Sequence, residues 1–78
     1  MPVSVAQSAK RLLVIQLLTF ARQYQVNLAI SGESGDKDVM KAFKQIMLKA
    51  HPDKGGRDGD AQRLIAARDV WEKAKTNS

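Results

Sequence analysis

The chain has no cysteine, so neither a disulfide nor a thiolate metal site is available to it. His51 is its single histidine, and closed structural metal sites usually take about four ligands, so a resident metal is not expected. Proline occurs at two positions only, too few for a disordered or linker-like segment. Aromatic residues make up 5% of the chain, and Phe20, Tyr24, Phe43 and Trp71 all fit apolar helical stripes, which leaves no platform on which nucleic-acid bases could stack. Acidic residues are missing from positions 1 to 32, where the only cations are Lys10, Arg11 and Arg22. The net charge of +5 invites a nucleic-acid or anionic-membrane partner, but cations this sparse make no phosphate-binding track.

Long apolar runs are absent too. The stretch from Leu12 to Phe20 is interrupted by Gln16 and Thr19 and falls well short of the roughly 20 residues a membrane span requires. No catalytic constellation is present: no serine sits with a base, no glycine-rich loop follows a strand, and Gly32-Glu33-Ser34-Gly35 lacks the lysine of a phosphate loop. The chain therefore reads as a non-enzyme without a cofactor. Its acid-free, arginine-containing N-terminus has the look of a mitochondrial presequence. That segment is nevertheless needed as the first core helix, and with no cysteine and no secretory signal the chain reads as intracellular and cytoplasmic.

What remains is helical. At 44% hydrophobic over 78 residues, with no convincing strand alternation, the composition fits one small all-α domain spanning residues 1–78. A long apolar first helix is expected from about Val5 to Tyr24, with Leu13, Leu17, Phe20, Ala21 and Tyr24 on one face and Val14 and Leu18 widening it. Residues 27–36 form a connection from which Leu28 and Ile30 dip into the core, and Gly32 and Gly35 mark turns. Ser34 or Asp36 is placed to cap a second helix over about 37–50. Its Val39, Phe43, Ile46 and Ala50 line one face, Lys37, Lys41 and Lys44 the other. Pro52 ends it by displacing the preceding residue from helical geometry, which turns His51 outward. In the loop 51–59, Asp53 can accept amide hydrogen bonds, and Gly55, Gly56 and Gly59 permit reversal. Asp58 or Asp60 then caps a third helix over about 61–75, with the stripe Leu64, Ala67, Val70, Trp71 and Ala74, packed as an antiparallel pair with the second.

Residues Lys41 to Lys54 (KAFKQIMLKAHPDK) resemble, without a gap, the end of the second helix and the His-Pro-Asp loop of the J-domain (DnaJ) co-chaperones. Leu64, Ala67, Val70 and Trp71 resemble that family's third-helix frame. The stretch from Ile46-Met47-Leu48 through Gly56, with Ala67-Arg68-Asp69 later, looks most like J proteins of mitochondrial import motors, and HPDKGG resembles polyomavirus T antigens as well. The resemblance covers about Val39 to Lys75. The first half departs from it, since no leucine-glycine pair precedes the second helix and Leu28 to Ile30 is the nearest apolar substitute. It stays open whether the first helix replaces or extends the usual one.

The resemblance implies a module without chemistry of its own that docks on a DnaK-type seventy-kilodalton heat-shock chaperone and stimulates its ATP hydrolysis. Lys41, Lys44, Lys49 and Lys54 would meet the acidic nucleotide-binding domain, with Leu48 apolar in the middle of that stripe. His51, Pro52 and Asp53 would insert where the partner's domains meet. The alternative is a J-like interaction or scaffold module that does not stimulate a chaperone, with a further helical partner or a second copy on the apolar first helix.

Overall fold

A computed structural model describes residues 4–51, 53 and 58–77. It is all-α, built from α1 (Val5–Gln23), α2 (Asp36–Ala50) and α3 (Asp58–Asn77). α1 begins where the Ser4 side chain accepts a hydrogen bond from the Gln7 amide, at 3.1 Å. It ends in a tight reversal: Gln25 takes φ 57°, the Val26 amide donates to Ala21 O at 2.8 Å, and the Gln25 amide to Arg22 O at 3.3 Å. This is the double bond of a Schellman cap, with glutamine in the left-handed position that glycine occupies at least cost.

The core has contributions from all three helices. Leu13, Leu17, Phe20 and Ala21 of α1 meet Val39, Phe43, Ile46 and Ala50 of α2 and Leu64 and Trp71 of α3, while Leu28 and Ile30 of the connection pack half-buried against them. These are the faces that periodicity predicts for α1 and α2. α3 makes more of its contact with α1 than with α2.

The structure corrects several local expectations. α2 starts from Gly35, which has no side chain to cap with, so neither Ser34 nor Asp36 is its N-cap. Asp36 and Asp38 instead lie in the first turn, where carboxylates favour the helix dipole, and Asp36 pairs with Lys10 of α1 at 3.1 Å. Ser34 serves the connection, its hydroxyl accepting from the Ser31 amide at 2.9 Å. α3 begins at Asp58 rather than about Ala61, so Gly59 and Asp60 belong to its first turn and not to the loop or cap. The expected loop residues Pro52, Lys54, Gly55 and Gly56 lie outside the described residues, as does the side chain of Asp58.

Val70 is 56% exposed, although its spacing suited the inner stripe. The stripe actually used runs through Ala61, Leu64, half-buried Ala67 and Trp71, with half-buried Arg68 between Leu64 and Trp71 and half-buried Lys75 one turn beyond it. Both cations lie over aromatic faces, Arg68 Cζ 5.3 Å from the centroid of Phe43 and Lys75 Nζ 4.1 Å from that of Trp71. Their apolar stems cover the rings while the charges interact with the π faces, and with Trp71 turned inward the adjacent Val70 faces out. Asp60 is buried, its Oδ2 accepting from Tyr24 Oη at 2.7 Å and Gln23 Nε2 at 3.1 Å. It ties the start of α3 to the end of α1.

Candidate functional site

The amphipathic pattern of α2 positions the site. With Val39, Ala42, Phe43, Ile46 and Ala50 buried, helical geometry leaves Lys37, Lys41, Lys44, Leu48 and Lys49 exposed. Leu48 is 67% exposed, so its isobutyl group stands in solvent among lysines and contributes little to the core. At the C-terminus His51 takes extended angles, φ −62° and ψ 134°, as a residue before proline should. Its amide still donates to Met47 O at 3.0 Å, so the residue leaves the helix while its backbone remains tethered.

The imidazole faces solvent with a defined partner. The Asp53 amide donates to His51 Nδ1 at 3.2 Å, while Asp53 Oδ2 lies 3.7 Å from the same nitrogen. These contacts belong to different protonation states. An Nδ1 that accepts from an amide carries no hydrogen, so the neutral ring holds its proton on Nε2, available to an outside acceptor. At 3.7 Å and in solvent the ion pair is weak, and the amide contact is the one that sets the neutral ring's orientation.

His51, Asp53, Lys44 and Leu48, with Phe43 and Met47, line a surface depression of about 650 Å³. Its walls are chiefly hydrocarbon and thioether, with a cation, a carboxylate and an imidazole around them. Four of the residues expected from the sequence thus share one surface. Lys41 and Lys49 are exposed on α2 but do not line the depression, and Pro52 and Lys54 lie outside the described residues. Met47 and Phe43 were not anticipated as lining, though the spacing of four from Phe43 to Met47 and again to His51 was legible as one row of the helix. Arg68 backs Phe43 from α3, a contact between helices that no local spacing reveals. Among the described residues no group of His, Cys, Asp or Glu side chains could hold a metal ion, and no helix is long and apolar enough to cross a membrane.

The chain is 35% identical over 60 residues to the DnaJ homolog subfamily C member 18 of Homo sapiens and to that of Macaca fascicularis. It is 34% identical over 58 residues to the Bos taurus protein of that name. These likenesses support the DnaJ, or J-domain, family. The matched stretch is 74% of this chain but only 17% of the human and macaque proteins, so the chain spans a small part of the curated relatives it matches. No protein-family model matches it, and no solved structure does. None of these three relatives is an import-motor protein or a T antigen by name, so they do not support that sub-family likeness. DnaJ-family proteins are co-chaperones rather than enzymes.

Proposed function

We propose that residues 1–78 form a J domain that docks on a DnaK-type seventy-kilodalton chaperone and stimulates its ATP hydrolysis. The observation that carries this reading is the exposed His51–Asp53 pair at the end of α2, beside Lys44 and Leu48 on one open apolar depression. In this account Lys41, Lys44, Lys49 and Lys54 steer the domain onto an acidic surface, a rate effect that weakens with salt. Leu48 and Met47 then bury against the partner. His51 presents Nε2–H and Asp53 its carboxylate to the partner's backbone and cations, with Pro52 next to both in the sequence. No bond is made or broken on the domain. It accelerates hydrolysis by binding the competent conformation of the chaperone more tightly than the resting one, which shifts that population.

The test is single-turnover ATP hydrolysis by a DnaK-type chaperone with and without the purified domain. A several-fold faster rate, saturating with domain concentration, is the expected result. Saturable binding with no change in rate would favour the alternative of a J-like scaffold module.

A further inference from the structure

The seam between α1 and α3 carries a second surface that shares no lining residue with the depression on α2. Ala9, Leu12 and Gln16 of α1 and Arg63, Ala66 and Val70 of α3 border a groove of about 320 Å³. Leu12 is 61% exposed, and Val5 and Ile15, 74% and 59% exposed, extend the apolar surface along α1. Isolated exposed apolar residues are ordinary, but a continuous strip along two packed helices is a recognition surface. Gln16, which lines the groove, has a buried Oε1 that accepts no hydrogen bond among the described residues. An amide oxygen so placed is costly unless a donor reaches it.

Charge indicates what covers the strip. Arg63 is exposed and makes no ion pair among the described residues, and Lys73, exposed, follows Val70 by three positions on the same side of α3. Asp60, one turn before Arg63, points inward to Tyr24 and Gln23, exposed Asp69 beside Val70 is paired with Arg68 at 3.2 Å, and α1 contains no acidic residue. The groove is therefore apolar along its length and cationic along the α3 edge. A second copy paired groove to groove is a poor occupant, because it would meet Arg63 and Lys73 either with the same cations or with an α1 edge that carries no carboxylate.

We propose that the α1–α3 groove docks an amphipathic helix of an acidic protein partner. Its aliphatic residues seat against Leu12, Ala66 and Val70, its carboxylates pair with Arg63 and Lys73, and one side-chain donor reaches Gln16 Oε1. The proposal is independent of the chaperone reading.

The test uses the full chain, labelled with nitrogen-15, and a fluorescent synthetic peptide of about 18 residues, a helix of roughly 27 Å. The peptide carries leucines at helical spacing flanked by glutamates, and a control has lysines in their place. The glutamate peptide should bind saturably and shift the amides of Leu12, Gln16, Arg63 and Val70. The lysine peptide should bind roughly tenfold or more weakly, and Arg63→Glu should reverse that preference. Leu12→Asp should abolish peptide binding in a domain whose circular dichroism and ATPase stimulation are unchanged, and His51→Gln should leave peptide affinity intact, so the two readings fail separately. No saturable binding, equal affinity for both peptides, or shifts confined to the α2 depression would overturn the proposal. So would a concentration-dependent dimer in sedimentation that uses the groove, or tighter partition to phosphatidylserine vesicles than to the peptide.

Discussion

On the α2 side of the loop, His51 is held by its own amide to Met47 and by the Asp53 amide to its ring, contacts that reach no further than four residues along the chain. On the α3 side, buried Asp60 is held by Tyr24 and Gln23, 36 and 37 residues away. The first arrangement depends on local geometry and stays in solvent. The second depends on the tertiary fold and exists only when α1 and α3 are packed. Side chains at the α2 end are therefore free to serve a partner at little cost to stability, whereas those at the α3 end are committed to holding the frame. The two should separate under mutation.

The largest effect is expected on the frame. Trp71 is 1% exposed and packs in the core shared by all three helices, so Trp71→Ala should cost about 3–5 kcal/mol, the range for truncating a buried aromatic. In a domain this small most of the stability would go, and function with it. Urea denaturation followed by circular dichroism measures the loss, and a mutant as stable as the wild type would break the packing account. Wild-type fluorescence should be blue-shifted and poorly quenched by iodide.

Asp60→Ala sharpens the comparison. It removes a buried acceptor of two hydrogen bonds and should cost about 1–3 kcal/mol. Because the His51–Asp53 contact is local, chaperone stimulation should survive wherever the mutant remains folded. Stimulation lost in a folded Asp60→Ala domain would show that the two ends of the loop are not separable.

Lys44→Glu acts on the other side of the divide. Its melting curve should match the wild type, since Lys44 is exposed. Its affinity for the chaperone should fall most at low salt and converge with the wild type near 1 M, where the screening length is about 3 Å. A loss that does not change with salt would mean that Lys44 acts through packing on Phe43 and Met47 rather than through charge.

The smallest effect is expected at the C-terminus of α1. Gln25 sits at φ 57°, and Gln25→Gly should stabilise the domain by about 0.5–1 kcal/mol by relieving the left-handed strain. Thermal denaturation would detect it, and destabilisation would mean that the glutamine side chain has a role beyond the cap.

How much of this was legible in the sequence follows from what each feature depends on. The buried faces of α1 and α2 were legible because a helix repeats its pattern locally, and Val39, Phe43, Ile46 and Ala50 are all buried as their spacing predicts. Lys44, Leu48, His51 and Asp53 were legible as neighbours because one helix face and its end carry them. The inner stripe of α3 was read imperfectly, since Val70 and Trp71 are adjacent and either could have faced inward. The choice is made by the fit against α1 and by Arg68 and Lys75 lying over aromatic rings. Asp60 looked like a cap because aspartate favours helix starts. Its burial depends on Tyr24 and Gln23 arriving from the far end of another helix, which spacing along the chain does not encode.

We propose that the exposed His51 ring serves a chaperone and not the fold. Single-turnover ATP hydrolysis with wild-type and His51→Gln domains, run beside their thermal melts, tests it most directly. Superimposable melts are expected, with stimulation reduced to the unstimulated rate. Undiminished stimulation by a folded His51→Gln domain would contradict it.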